Sequence, residues 1–130
     1  MKQRGGDLSM LVMKYEKGTS VIIEVEMHAF ANGAIRRVEI PNDRASVTLR
    51  GVPFESTPKI LGLTFEFGQN DFQPQDMPSV SVGDIIRVKG KRFAVLPIGF
   101  KEIAANFTPP RDGGMWAYRL SIEDSKEEEA

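Results

Sequence analysis

Residues 85 to 98 constrain the fold most strongly, because two short apolar runs there flank a polar turn. Ile85 to Val88 and Phe93 to Ile98 are rich in β-branched and aromatic residues, and Lys89-Gly90-Lys91-Arg92 separates them. Runs of this length around a glycine-containing turn predict an antiparallel β-hairpin. Pro97 lacks a backbone N–H, so we expect the second strand to end there or to lie at a sheet edge.

A second hairpin is predicted upstream. Ser20 to Phe30 alternates so that the odd-numbered residues from Val21 to Ala29 share one apolar face, which is the signature of a half-buried strand. Asn32-Gly33 tolerates the positive φ of a tight turn, and Ala34 to Ile40 forms the returning strand. Antiparallel pairing then sets acidic residues across from basic ones: Glu24 and Glu26 face Arg36 and Arg37.

Residues 56 to 68 fit two structures. Leu61, Leu63, Phe65 and Phe67 alternate with smaller or polar residues, as in a strand. The same segment begins with Ser56 before Thr57-Pro58, which is typical of a helix start, and ends at Gly68, a common helix stop. We predict a short helix over about 58–67, with a strand as the alternative.

The remaining pattern adds strands. Met115 to Ile122 places Trp116, Tyr118, Leu120 and Ile122 at every second position, which predicts a last strand. Gly99 to Ile103 begins another short element. Met10 to Tyr15 is a further strand candidate, at an edge, and Ser46 to Leu49 is either a short strand or part of a loop.

These elements predict an α+β fold: a small bent antiparallel sheet, or a half-open barrel, with one short helix. A chain of 130 residues is long enough for one core. We divide it into a flexible N-terminus (1–8), one globular domain (9–122) and an acidic tail (123–130).

Composition narrows the functional classes. The chain has no cysteine and therefore no disulfide or thiolate chemistry, which suits a reducing cytoplasm. No run approaches the roughly 18 apolar residues of a membrane helix, and the N-terminus makes a poor signal peptide. Residues 123–130 carry a charge of −4, and the whole chain carries −1, so the remainder carries about +3. A mildly basic body is compatible with nucleic acid.

Catalytic and metal-binding patterns are weak. His28 is the only histidine, and no serine or cysteine stands at a spacing that would make it a general base. Asp71 and Asp76 share a loop, and Glu24 and Glu26 share a strand face, but neither pair supplies three converging ligands. Glycine patterns for phosphate binding are missing from the sequence. We therefore predict no enzyme, no metal and no cofactor.

The loop after the predicted helix is the first candidate for a partner-binding site. Ordinary loops favour Gly, Pro, Ser and Asp, whereas this one gathers amides around an aromatic ring. Amide side chains both donate and accept hydrogen bonds, which suits recognition of a polar partner. In the structural alternative, the same groups cap the helix end and bond within the loop. The candidate residues are Gln69, Asn70, Asp71, Phe72 and Gln73.

Single-stranded nucleic acid is the alternative partner. Small β-barrels bind it through a basic groove with aromatic side chains that stack on bases. Several cations of this chain lie on the predicted hairpins and can share one side of a sheet. These are Arg36, Arg37, Arg87, Lys89, Lys91 and Arg92.

A family resemblance supplies context. The run Pro78-Ser79-Val80-Ser81-Val82-Gly83-Asp84-Ile85-Ile86, followed by a hairpin and Ile98-Gly99-Phe100-Lys101-Glu102, resembles the closing motif of YodL-like domains. Gly68 to Gln73 is similar to a segment of short phage-encoded proteins. YodL-like domains occur in phages, plasmids and integrative elements and have no assigned chemistry.

The resemblance implies a small accessory protein of a phage or mobile element. We expect it to act stoichiometrically in a bacterial or infected-cell cytoplasm, by binding a host or self macromolecule, as an inhibitor or modulator. Strand edges near Pro97 or at Met10 to Tyr15 are expected contacts for a partner strand. The same edges leave both a monomer and a homodimer open.

Overall fold

The computed structural model describes residues 20–41, 44 and 56–129. In this part of the chain five antiparallel strands form one sheet, in the order β2-β1-β3-β4-β5. The strands are β1 (Ser20–Met27), β2 (Ala34–Pro41), β3 (Ile85–Val88), β4 (Lys91–Val95) and β5 (Phe100–Ile103). The helices within the described residues are α1 (Thr57–Phe67) and α2 (Met115–Glu129).

The predicted combination of an antiparallel sheet with a helix is therefore confirmed, and the described residues contain one helix more than expected. The sheet is open, because β2 and β5 lie at its two ends, so the described strands do not close a barrel. The strand candidates at 10–15 and 46–49, and the N-terminal segment 1–8, lie outside the described residues.

Both predicted hairpins form, with shorter strands. β1 ends at Met27 and not at Phe30, because residues 28–33 make the connection to β2. In the second hairpin Lys89 and Gly90 both have positive φ, 53° and 78°, which gives a two-residue turn matched to the twist of the strands. Lys91 and Arg92 therefore belong to β4 and not to the turn, as Val88 pairs with Lys91.

Helix α1 resolves the ambiguity of residues 56–68. Ile60, Leu61, Leu63 and Thr64 are buried, which is a helical face and not an alternating one. Ser56 makes no side-chain capping bond, and a proline stands in the first turn. Gly68 ends the helix at φ −80°, an ordinary conformation. A side chain there would overlap Val80, so this glycine is explained by close packing.

Residues Met115 to Ile122 are helical, so the predicted last strand is wrong. Asp112 lies before the helix, and its carboxylate accepts the Trp116 N–H at 3.2 Å. Trp116 and Ala117 are buried, whereas Tyr118 and Ile122 are exposed, so the alternating apolar positions do not share a face. The backbone stays helical to Glu129. The acidic run from residue 123 therefore continues α2.

Among the described residues, two apolar clusters lie on opposite faces of the sheet, since Ile85 and Ile86 are consecutive in β3 and belong to different clusters. The α1-side cluster contains buried residues of α1 and of the strands β1, β2, β3 and β4. The α2-side cluster is smaller and consists of Ile85, Ala94, Leu96, Trp116 and Ala117.

Neither helix in the described residues has both the length and the apolar character that crossing a membrane requires.

Candidate functional site

In the loop of residues 69–73, which we call the amide loop, all three side-chain amides bond to the protein's own chain. Gln69 Nε2 donates to the carbonyls of Phe65 and Val80, at 2.9 Å each. Asn70 Nδ2 donates to the Met77 carbonyl at 2.8 Å, and the Asn70 N–H donates to Ser79 Oγ at 2.8 Å. These amides satisfy backbone groups that no strand or helix pairs, so they hold the loop against the end of α1.

Gln73 covers the outer edge of β2. Its Oε1 accepts the Glu39 N–H at 2.9 Å, and its Nε2 donates to the Glu39 carbonyl. One side-chain amide thus takes the place of a peptide unit in a neighbouring strand. Gln75 Nε2 extends this cover by donating to the Arg37 carbonyl at 2.9 Å. The amides block an edge that could otherwise pair with another chain.

Arg36 joins β2 to the same loop from inside. Its side chain is fully buried (0% exposed). Nη1 donates to Asn70 Oδ1 at 2.7 Å and to the Pro78 carbonyl at 2.9 Å, and Nη2 donates to the Gln73 carbonyl at 2.6 Å. Burial lowers the pKa of this guanidinium. The predicted pairing of Arg36 with Glu24 or Glu26 is wrong, because Arg36 lies opposite Val25 and points to the α1 face.

Asp71 and Phe72 are the two exposed residues of the loop. The Phe72 side chain is 59% exposed, and its ring tilts against that of Phe67 with centroids 6.0 Å apart. A partner that touched this loop would therefore contact one carboxylate and one aromatic ring. The amides of Gln69, Asn70 and Gln73 bond to the chain itself and fix the position of the loop.

The face of the sheet opposite α1 carries a network of ion pairs centred on Glu26. Its Oε2 accepts hydrogen bonds from Arg87 Nε and Arg92 Nε, each at 2.9 Å. Its Oε1 accepts from Arg92 Nη2 at 2.7 Å and lies 2.8 Å from His28 Nε2. Burial alone would raise the pKa of Glu26, but the hydrogen bonds from Arg92, His28 and Arg87 outweigh it and lower the pKa to about 2.

The six predicted nucleic-acid contacts do not share one side of the sheet. Arg37, Arg87 and Arg92 lie on the Glu26 face, Arg36 is buried under the other face, and Lys91 lines a groove beside α1. Arg37 is 3.5 Å and Arg87 is 3.1 Å from Glu24, so glutamates already pair with these cations. Lys89 lies in the hairpin turn, and it too already interacts with another group of the chain.

A polar groove of about 430 Å³ opens beside this network. Arg87, Asn106 and Thr108 line it together with Phe107. Arg92 also lines the groove, and its Nη1 donates hydrogen bonds to the Ala104, Ala105 and Phe107 carbonyls at 3.1, 3.2 and 2.7 Å. The geometry leaves Arg87 as the half-exposed cation of the groove.

An apolar groove lies on the other face of the sheet, at what we call the β4–β5 corner: β4, β5, their turn at 96–99 and the first turns of α1. A groove of about 500 Å³ runs there, lined by Leu61, Phe93 and Phe100 and, on its polar side, by Lys91 and Glu102. Ile98 projects from the turn and is 90% exposed. The expected strand to Ile98 is thus shorter, and the proline that follows Leu96 lies in the turn.

Sequence reasoning did not anticipate several of these roles. Arg36 has the same parity as Val38 and Ile40 in β2, and this signal places it on the buried face. The sequence predicts no role of its own for Asp84, but its buried carboxylate accepts the Ala29 and Ser81 N–H groups at 2.8 Å each. Burial raises the pKa of Asp84, and these backbone bonds oppose the increase.

Among the described residues no three His, Asp or Glu side chains lie where they could hold one metal ion. Comparisons of the chain with protein-family models, with curated proteins and with solved structures returned no match.

Proposed function

We propose that this protein acts stoichiometrically, by binding another macromolecule at the β4–β5 corner, and not as an enzyme. One observation carries the proposal: a 90% exposed isoleucine stands next to an apolar groove of about 500 Å³. Large apolar side chains exposed beside a groove are typical of interaction sites.

The polar clusters support this choice by contrast. The amides of the 69–73 loop bond to their own backbone, and the guanidiniums of Arg87 and Arg92 bond to Glu26. These groups would have to give up existing bonds to reach a ligand. The apolar groups at the corner lose only contact with water when a partner covers them, which favours binding.

The resemblance to YodL-like domains suggests a phage or mobile element as the setting for this activity. In that setting the protein would inhibit or modulate a host assembly in the bacterial cytoplasm. The resemblance bears on context alone; the corner is proposed from its own geometry.

The test is quantitative capture from a bacterial lysate by the immobilised chain. Ile98→Asp puts a charge beside the groove of the proposed contact, and Phe72→Asp makes the same change on the amide loop. We expect a protein retained in near-stoichiometric amount by the natural sequence and by Phe72→Asp, and reduced at least tenfold by Ile98→Asp. Circular dichroism checks that both variants are folded.

Loss with Phe72→Asp alone would move the site to the loop, and equal retention by both variants would rule out the corner. If the natural sequence retains no protein in stoichiometric amount, the binding function itself fails.

A single-stranded nucleic acid is the second candidate, favoured by the polar groove of about 430 Å³ beside Arg87. Phosphate contacts would make affinity fall steeply as salt rises. Charge reversal at Arg87 or Arg92 would disturb Glu26, so Asn106→Glu with Thr108→Glu, which adds negative charge at two other residues that line this groove, is the cleaner test. Anisotropy of a labelled oligonucleotide that neither salt nor this double variant changes would exclude the candidate.

A further inference from the structure

We propose that the outer edge of β5 takes an extended segment of a partner protein as a sixth strand, with one apolar side chain of that segment in the adjoining groove. This inference rests on the proposed function and specifies how the β4–β5 corner would bind. Strand addition combines main-chain hydrogen bonds with pockets for alternate side chains.

The ladder between β4 and β5 determines which groups face outwards. The Leu96 N–H bonds to the Gly99 carbonyl at 3.0 Å in the turn, and hydrogen-bonded pairs alternate along an antiparallel ladder. Lys101, paired with Ala94, therefore bonds inwards to β4. The N–H and C=O groups of Phe100 and Glu102 point away from β4, where the next strand would lie.

The two edges of the sheet differ in their cover. At β2 the amides of Gln73 and Gln75 occupy backbone groups of Glu39 and Arg37. At β5 the described residues supply no neighbouring strand other than β4. An edge with unpaired backbone groups is a template for another chain.

The groove is placed to receive the side chains of such a strand. Phe100 and Glu102 both line it, together with Leu61 and Phe93, so a partner residue paired with either of them would point the same way. A residue opposite Phe100 would enter the apolar part. A residue opposite Glu102 would meet a carboxylate that is half exposed and 3.9 Å from Lys91 Nζ.

A second copy of this chain fits this edge poorly. Two antiparallel copies of β5 would be related by a two-fold axis perpendicular to the sheet, which sets one residue opposite itself. Within the sequence Phe-Lys-Glu-Ile the central choice is Lys101 facing Lys101, or Glu102 facing Glu102. Like charges directly opposite destabilise a pair of strands.

The partner is therefore a different protein, with an extended segment that carries an apolar residue opposite Phe100 and a basic residue opposite Glu102. β5 itself does not supply this basic residue. When Lys101 faces Lys101, the residue opposite Glu102 is Phe100.

The experiment uses amide hydrogen exchange by NMR on the full chain with a blocked eight-residue peptide that alternates threonine with valine and lysine. We expect at least tenfold slower exchange of the Phe100 and Glu102 N–H groups with peptide, and little change at Lys101. The same peptide with N-methylated backbone amides keeps its side chains but cannot donate main-chain hydrogen bonds, and its methyl groups hinder close approach to β5, so it should give no protection.

Glu102→Pro is the matched variant, because proline removes an outward N–H that β4 does not use. It should weaken peptide binding at least tenfold while leaving exchange in β1 and β3 unchanged. If the peptide does not protect Phe100 and Glu102, the inference is overturned. It is equally overturned if both amides are already protected without peptide, since this chain or a second copy would then cover the edge.

The outcome is separable from the test of the proposed function. A partner that is captured by the natural sequence and lost with Ile98→Asp, combined with no protection of the β5 amides, would keep the binding function and discard strand addition.

Discussion

At the scale of single residues, Glu26 holds together an arrangement that would otherwise repel. The register sets Arg87 directly opposite Arg92 across β3 and β4, and like charges in that position are unfavourable. Glu26 on β1 accepts a hydrogen bond from the Nε of each arginine. One buried carboxylate thereby joins three strands, and its contribution depends on its own ionisation.

We predict that Glu26 makes stability depend on pH in the acid range. Because its pKa is about 2 in the folded chain, against 4.5 for an unperturbed glutamate, its contribution is complete above pH 4.5 and is lost as pH falls towards 2. The gap corresponds to about 3 kcal/mol. Urea unfolding across this range should show Glu26→Gln less stable than the natural sequence at neutral pH by about that amount, with the difference closing near pH 2.

Glu24→Gln is the control on the same face. Its carboxylate is partly exposed and forms surface pairs with Arg37 and Arg87, which contribute about 0–1 kcal/mol. A pH-independent difference for Glu26→Gln would mean that the side chain acts through its shape and not its charge.

At the scale of elements, helix α2 is docked onto the sheet by two glycines. Gly83 precedes β3 with φ +96°, and Gly114 precedes α2 with φ +88°. A Cβ on Gly83 would overlap the Cα of Gly114, and a Cβ on Gly114 would overlap the Val82 carbonyl oxygen. The neighbours are backbone atoms, so a side chain could not be accommodated by a rotamer change.

We predict that Gly114→Ala destabilises the protein by about 2 kcal/mol or more, because it combines a left-handed backbone with overlap. Gly62→Ala is the matched control: Gly62 lies within α1 with no atom within 4 Å of an added Cβ. There alanine should stabilise by about 0.5–1 kcal/mol. Thermal unfolding of both variants measures the contrast, and equal effects would show that the glycine contact is not what docks α2.

The same scale shows how far sequence reasoning reaches. Both hairpins could be predicted because turn residues and alternation are local signals, as at Lys89-Gly90. For helix α1 the sequence fits a strand almost as well, because apolar residues alternate from Leu61 to Phe67 while the ends carry helix start and stop signals. Helix α2 was missed because Trp116, Tyr118, Leu120 and Ile122 alternate by chance, while only Trp116 and Leu120 pack against the sheet. Which side chains of this segment are buried depends on its contact with the sheet, and the local sequence pattern does not show that contact.

The candidate site was predictable to a smaller extent. The composition of the 69–73 loop marked it as unusual, but amides that recognise a partner and amides that hold a loop have the same sequence. The distinction comes from β2, whose Arg36 and Glu39 supply the bonding partners from more than thirty residues away. The apolar groove depends likewise on Leu61 in α1 meeting Phe93 and Phe100, which only the folded chain brings together.

At the scale of the whole molecule, the two apolar clusters pack on the two faces of the same sheet. Ile86 belongs to the α1-side cluster and Ile85 to the α2-side cluster. A strand that loses its packing on one face cannot keep the other face in place, because the two sets of side chains share one backbone. We therefore expect the described sheet and its helices to unfold as one cooperative unit.

Trp116 makes this expectation testable, as it is the single tryptophan of the chain and is buried in the α2-side cluster. We predict that Ile60→Ala, a truncation in the α1-side cluster at a fully buried position, costs about 2–5 kcal/mol. The urea midpoint seen by Trp116 fluorescence should fall together with the midpoint seen by far-UV circular dichroism. If the fluorescence midpoint stays at its natural value while the dichroism midpoint falls, the two faces unfold separately and the shared sheet does not couple them.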